Sequence, residues 1–222
     1  MMRLTVVGSG SSGNSYILEN DKEALVIDAG VRFMEVKKAL RFQVRKIAGV
    51  IVTHKHGDHA AYAHEYKGAG IPVFQPYESE SLRQNVRYGG FRIQSWEAVH
   101  NVPCVGYLID HDDMGRMLYA TDTEYVRFKF KGVTHFLIEA NYAEEYVNRD
   151  DPKYLHVLTG HQSLTTAIGC IQANMTENTK HITLCHLSTD NADPEAFKQA
   201  VKAVVGDTCI VDVAVPKMVV EL

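Results

Sequence analysis

Val50-Ile51-Val52-Thr53-His54-Lys55-His56-Gly57-Asp58-His59 decides how the rest of the chain is read. The apolar run Val50 to Val52 is β-branched throughout, which suits a covered strand. A histidine-rich loop follows at its end. His54 and His56 are two residues apart, and extended chain aims both at one point. Asp58 and His59 are adjacent and point differently, so one ion does not easily take all four. The spacing therefore suggests two neighbouring metal ions. Neutral imidazole suits zinc and other borderline divalent ions, and a carboxylate adds a harder ligand. A solvated loop that merely holds three histidines is the plain alternative, and the strand in front of it argues for the metal reading.

The chain around this stretch is ordinary in bulk. It has 222 residues, 45% hydrophobic and 23% charged, and reads as a single domain over residues 1–222. A net charge of −4 gives no global attraction to nucleic acid or an anionic membrane. Any nucleic-acid binding has to come from a local basic patch. No apolar run approaches the roughly 20 residues of a membrane span, and the N-terminus turns to Gly/Ser too early for a signal peptide. The four cysteines, Cys104, Cys170, Cys185 and Cys209, are scattered without a Cys-x-x-Cys. That fits a reducing cytoplasm better than a disulfide framework.

Strands and helices alternate along the chain. Leu4 to Val7 reads as a first strand, followed by Gly8-Ser9-Gly10-Ser11-Ser12-Gly13-Asn14-Ser15. That loop is either a flexible connection or a set of backbone N–H groups for a phosphate. Strands are expected at Tyr16–Leu18, Ala24–Ile27, Ile47–Val52, Val73–Phe74 and Phe91–Val99. Asp28 ends one of them, as a turn cap or as support for the site. Phe33, Val36 and Leu40 predict a surface helix, with further short helices at Ala60–Lys67 and Glu78–Asn85. Gly106–Ile109 and Met117–Ala120 form a hairpin around the turn at Asp112-Asp113-Met114-Gly115. His135–Ile138 and Ile182–Cys185 are later strands. Ser163 and Asp193 read as N-caps of the two long helices, with Pro194 in the first turn of the second. The charged stretch from Tyr146 to Lys153, with Arg149, is a solvated face or part of a phosphate-binding rim. His64 reads as a surface residue, and His135, His156 and His181 as structural or exposed.

Thr53-His54-x-His56-x-Asp58-His59 resembles the signature of the metallo-β-lactamase superfamily. Gly160-His161-Gln162-Ser163 and His186-Leu187-Ser188 resemble further segments of the family, and the Gly-Ser-Gly-Ser-Ser-Gly-Asn-Ser loop and Glu139-Ala140-Asn141-Tyr142 resemble its small YycJ-type proteins, a nuclease-like branch. The resemblance runs from Gly8 to Asn191. It implies an α+β fold, the αββα sandwich, with two packed mixed sheets and helices on the outer faces. It also implies a division of ligands. His54, His56 and His100 hold one ion, Asp58, His59 and His186 the other, and Asp122 bridges them. Two departures stand out. Glu124 stands where the family often has glycine, two residues after the aspartate, and Leu164 stands where related chains often carry asparagine.

Two divalent ions, Zn2+ or Mn2+, at roughly 3.5–4 Å can share a bridging hydroxide and stabilise both oxygens of an in-line displacement at phosphorus. Asp58 would orient that hydroxide. Asp122 argues against a true β-lactamase, whose place there is usually cysteine or serine. His161, outside the seven ligand positions, sits where nuclease-like relatives have an extra histidine to hold a phosphate oxygen or protonate the leaving alkoxide; capping the nearby helix is its plain alternative. Glu139 either orients a ligand histidine or caps a helix. The sequence thus points to a metal-dependent phosphodiesterase, a nuclease acting on DNA or RNA. A thioester hydrolase like glyoxalase II would need a cationic glutathione pocket, and no C-terminal basic cluster offers one. A non-catalytic metal-binding recognition module is a third reading, disfavoured because all seven ligand positions are filled.

Overall fold

Ile51 and its neighbours Val50 and Val52 face opposite ways, and that alternation sets the layers. Ile51 enters a core between two sheets, whereas Val50 and Val52 enter a second core outside the first sheet. A strand buried on both faces reads as a continuous apolar run. The computed structural model describes residues 1–148, 150, 154–207 and 209–222.

The strands are β1 Arg3–Gly8, β2 Ser15–Glu19, β3 Ala24–Ile27, β4 Ile47–Ile51, β5 Val73–Phe74, β6 Asn85–Tyr88, β7 Phe91–Glu97, β8 Val105–His111, β9 Gly115–Ala120, β10 His135–Glu139, β11 His181–Cys185, β12 Ile210–Val213 and β13 Val219–Glu221. The helices are α1 Phe33–Ala39, α2 Gly57–Ala60, α3 Ala63–Gly68, α4 Tyr154–Gly160, α5 Leu164–Asn174 and α6 Pro194–Val205. One sheet has six strands in the order β13-β1-β2-β3-β4-β5, the other seven in the order β12-β11-β10-β9-β8-β7-β6. Both mix parallel and antiparallel pairs: β3, β4 and β5 run parallel, as do β9, β10, β11 and β12.

Three apolar clusters make this an αββα sandwich. Leu18, Leu25, Ile51, Tyr107, Tyr119 and Leu137 fill the space between the sheets. Phe33 and Val36 of α1 and Tyr66 of α3 cover the six-stranded sheet. Ala167 and Ile171 of α5 and Phe197 and Val201 of α6 cover the seven-stranded sheet over Phe136, Ile138, Ile182 and Leu184. The caps are as expected. Ser163 Oγ accepts from Thr166 N at 3.2 Å, and Asp193 Oδ1 accepts from Glu195 N and Ala196 N at 3.0 Å each. Each such cap stabilises its helix by about 1 kcal/mol.

Two local expectations need correction. The helix expected over Glu78–Asn85 is absent: a single 3-10 turn at Pro76–Glu78 precedes irregular chain and then β6. Ser95 of β7 pins the segment, its Oγ donating to Leu82 O at 2.6 Å and accepting from Gln84 N at 2.9 Å. These bonds replace those a helix would need. The helix expected over Ala60–Lys67 is two pieces, α2 and α3, and α2 begins inside the histidine motif. Arg149, Lys153 and the side chain of His156 lie outside the described residues. Among the described residues no helix is long and apolar enough to cross a membrane.

Candidate metal centre

Five strands end at one place. β3 delivers Asp28, β4 leads to Thr53 and His54, β9 to Asp122, β10 ends in Glu139, and β11 leads to His186. This is where an α/β sheet ordinarily presents a site, past the carboxyl ends of parallel strands. Asp28, Asp122 and His186 have φ of 59°, 48° and 52°. Non-glycine residues pay about 1–3 kcal/mol for left-handed backbone and cluster at functional sites when they do. Here the sharp turn points each side chain back into the centre.

The structure brings all seven candidate ligands together. His54, His56 and His100 offer nitrogens within 4.8 Å of one another, and Asp58, His59 and His186 form a second such group. Asp122 joins His54 and His59 in a third, and Glu139, His161 and His186 in a fourth. Asp122 thus lies between the two histidine groups. α2 begins inside the motif: His56 stands before its first turn, Asp58 and His59 lie within it, and the His59 ring packs 4.4 Å from that of His54.

Outer hydrogen bonds orient the rings. His59 Nδ1 lies 2.8 Å from Asp28 Oδ2 and donates to it, leaving Nε2 facing Asp122 Oδ2 at 2.9 Å. His100 Nδ1 donates to Gly160 O at 2.9 Å, which leaves its Nε2 as the acceptor nitrogen. Glu139 Oε1 takes His186 Nδ1 at 2.8 Å. Asp28 is itself held, accepting from Tyr119 OH at 2.6 Å and from Thr53 N and Oγ1 at 2.9 and 3.0 Å. Partners of this kind fix the tautomer of a ligand histidine. His54 Nε2 is buried and makes no hydrogen bond, and His186 Nε2 has only the Asp58 carboxylate, 3.5 Å away. An orphaned buried nitrogen is costly, and His54 Nε2 within the histidine cluster fits a metal ligand.

Electrostatics say the same. Burial and then the neighbouring His59 push the His54 pKa down to about 2, so its ring is neutral and ready to ligate. Burial also works against a charged His186, but Asp122, Asp58 and Glu139 outweigh it and raise its pKa to about 10. His59 is likewise raised, by Asp122 and Asp28 against its burial. Burial opposes an ionised Asp122, yet His186 and His59 hold its pKa well below the carboxylate range. Without ions, protons on His59 and His186 thus stand between the carboxylates.

His161 completes the cluster from α4's end. Its Nδ1 is 2.8 Å from Glu139 Oε1 and 3.5 Å from Asp122 Oδ1. Burial disfavours its charge, but Glu139 and Asp122 reverse the effect and raise its pKa. It lines a cavity of about 420 Å3 together with Ser11, His56, Asp58, His100, Asp122, Asn141 and the 187–191 loop.

Other expectations resolve as follows. In the glycine-rich loop, Gly10 N donates to Asn14 Oδ1, Gly13 N to Gly10 O and Asn14 N to Asp58 O, so those three N–H groups are spent internally. Asn14 Nδ2 instead reaches to 2.9 Å of His59 Nε2, a contact the sequence did not reveal. His64 is exposed. His135 Nε2 donates to Met114 O at 2.9 Å, and His181 Nε2 pairs with Asp212 at 3.0 Å, both away from the centre. All four cysteines are buried, and none belongs to a metal-capable group among the described residues.

Comparisons with known proteins agree with the fold. Residues 8–73 match the model of the metallo-beta-lactamase superfamily. The chain is 25% identical over 240 residues to exodeoxyribonuclease YycJ of Bacillus anthracis, covering 91% of this chain and 89% of that protein. It is 26% identical over 226 residues to exodeoxyribonuclease WalJ of Streptococcus pneumoniae serotype 2, covering 85% and 82%. Among solved structures, the metallo-beta-lactamase fold protein YhfI from Bacillus subtilis superposes with a TM-score of 0.71 at 18% identity, over the whole of both chains. The chain is thus a metallo-β-lactamase-fold protein, similar over most of its length to the YycJ and WalJ proteins.

Proposed function

We propose that this chain is a dinuclear-metal-dependent phosphodiesterase, a nuclease that hydrolyses DNA or RNA. One observation carries the reading: Asp122 stands between two groups of metal-capable side chains, and the His161–Glu139 pair closes the same cluster from the side. His54, His56 and His100 would hold one ion, Asp58, His59 and His186 the other, with Asp122 shared. Imidazole and carboxylate donors suit Zn2+ or Mn2+. When bound, two such ions lower the pKa of a water towards about 7 and offset charge on the oxygens of an in-line displacement.

The chain's own groups do the rest. Asp58, half-buried at the cavity wall, orients the attacking water through its carboxylate. His161 holds a phosphate oxygen and delivers a proton to the leaving oxygen of the sugar, the work of a general acid. Glu139 keeps it charged for that task and in the same contact fixes His186. Asp122, rather than a sulfur or hydroxyl ligand, supports phosphorus chemistry over β-lactam hydrolysis. The relatives' names, exodeoxyribonuclease, support DNA as substrate.

The test is incubation of metal-reconstituted protein with end-labelled single- and double-stranded DNA and RNA, beside bis-p-nitrophenyl phosphate and a glutathione thioester. Cleavage of at least one nucleic acid is the expected result. Turnover of the thioester alone would move the chain to the glyoxalase-like class, and turnover of none of them to the non-catalytic one.

A further inference from the structure

We infer that residues Tyr125–Lys131 form a docking track that leads a single strand of nucleic acid into the metal centre. The inference deepens the nuclease reading and rests on it for the identity of the ligand. The segment begins three residues after Asp122, so the Tyr125 Cα lies within about 11 Å of the Asp122 Cα.

Burial alternates along it with a period of two. Val126, Phe128 and Phe130 are half-buried against the core of the seven-stranded sheet, and Tyr125, Arg127, Lys129 and Lys131 are exposed. That is the alternation of extended chain, which places successive outward side chains about 6.6 Å apart. The spacing is close to that of successive phosphates in an extended single strand. Phe128 and Phe130 are seated on Trp96, with ring centroids 6.2 and 5.7 Å away.

Both ends of the segment are fixed. Thr123 Oγ1 accepts from Val99 N and donates to Tyr125 O, both at 2.9 Å, and Glu124 N donates to Val99 O at 2.9 Å. At the far end Phe130 N donates to Asn174 Oδ1 at 2.6 Å, and Arg116 Nη1 donates to Lys131 O at 2.7 Å. A backbone already anchored at both ends spares that part of the ordering cost of binding.

Charge and ring chemistry name the partner. In a chain of net charge −4, residues 124–132 hold three cations and one acid, Glu124. Among the described residues no ion pair occupies Arg127, Lys129 or Lys131, whereas Arg92 and Arg116 on the neighbouring strands are paired to Asp112 and Asp110. Arg127 sits over the Tyr125 ring at 5.8 Å, and Arg83, from the loop before β6, over Phe128 at 4.7 Å. An exposed aromatic ring beside a row of cations is what binds single strands without regard to sequence, by stacking bases and tracking the backbone. Tyr125, nearest the centre, is placed to stack a base close to the scissile phosphate.

The experiment measures binding apart from cleavage. The probe is a fluorescein-labelled oligothymidylate with phosphorothioate linkages, titrated with metal-reconstituted protein by anisotropy at several salt concentrations. The variant is Arg127→Ala/Lys129→Ala/Lys131→Ala. The control is Lys22→Ala/Arg45→Ala/Lys67→Ala, which removes the same charge beside the starts of β3, β4 and β5 in the six-stranded sheet. Loss of three phosphate contacts lowers the slope of log affinity against log salt by about 2 for a single strand. The track variant is expected to bind at least tenfold more weakly than the control, and Tyr125→Ala about 5- to 100-fold more weakly than wild type. The fall in affinity should exceed any fall in bis-p-nitrophenyl phosphate turnover by tenfold or more. Equal affinity of track variant and control overturns the track, and so does a wild type that binds no oligonucleotide. Cleavage is scored separately. A wild type that binds through these residues but cleaves nothing keeps the track and removes the nuclease reading, and one that cleaves with the track variant unimpaired does the reverse.

Discussion

His161 and His186 share one carboxylate oxygen: Nδ1 of each lies 2.8 Å from Glu139 Oε1, with ring centroids 5.3 Å apart. A candidate ligand and a candidate acid are therefore coupled through a single side chain. Glu139→Gln keeps the shape and removes the charge. His161 acts protonated, so its contribution is lost as pH rises through its pKa. Glu139 raises that pKa. The variant should therefore move the alkaline limb of kcat/KM on an oligonucleotide to lower pH, and lower activity by about 10–100-fold, as lost partners of metal ligands do. A limb that stays in place would disconnect Glu139 from His161.

His161→Ala should leave both ions bound and cut oligonucleotide turnover by roughly 10²–10⁴, the range of a lost general acid. The loss should shrink on bis-p-nitrophenyl phosphate, because p-nitrophenolate leaves without a proton. Equal losses on both substrates would mean that His161 binds phosphate and donates nothing. No loss on either would take it out of the site.

Metal affinity should rise with pH. In the metal-free protein His186 is raised to about 10 and His59 is raised as well, so ions must displace these protons. Each displaced proton gives roughly a tenfold change in affinity per pH unit below the group's pKa. Calorimetry in buffers of different ionisation enthalpy should detect the release. The same shifts set stability. A histidine whose folded pKa is raised contributes stability fully present below its unfolded value near 6.5, and loses it as pH climbs through the folded value. The melting temperature of chelator-treated protein should thus fall between about pH 6.5 and 10, and that of the metal-loaded protein should not follow it over that window. A flat metal-free curve would contradict the proton-for-metal exchange.

Gly30 and Cys185 make opposite predictions from their positions. A Cβ on Gly30 would collide with the Asp58 carbonyl oxygen. Gly30→Ala must push the Asp58–His59 turn aside, at about 1–3 kcal/mol for overpacking, and should weaken the ion on that side. Cys185 points between the sheets, away from the ligands, so Cys185→Ser should keep the full metal content. Elemental analysis of both variants decides, and a metal-depleted Cys185→Ser would mean that the ligand set is wrong.

The candidate ligands were legible because they come in local strings. Thr53 to His59 states its chemistry within seven residues, and Asp122, His161 and His186 each follow a readable strand or precede a readable helix. The layers were legible because strands such as β4 and β10 are apolar on both faces. Less was legible where the cause lies far along the chain. Ser95 decides the path of Leu82 to Gln84 from eleven or more residues away, so the short run 78–85 looked helical. Tyr119 meets Asp28 across 91 positions, and Asn14 meets His59 across 45. The glycine-rich loop was legible as a turn, but not that Gly10, Gly13 and Asn14 direct their N–H groups to Asn14, Gly10 and Asp58. The basic row at 127–131 acquires meaning only once Phe128 and Phe130 are seen to turn inward.

The central claim is that two ions, held across Asp122, hydrolyse a phosphodiester of nucleic acid. The direct measurement is titration of chelator-stripped protein with Zn2+ or Mn2+, reading bound metal by elemental analysis and cleavage of end-labelled DNA in the same samples. The account predicts that cleavage rises to its plateau as bound metal reaches two ions per chain, and that Asp122→Ala binds fewer ions and loses most activity. Full cleavage at one ion per chain, or undiminished cleavage by Asp122→Ala, would contradict it.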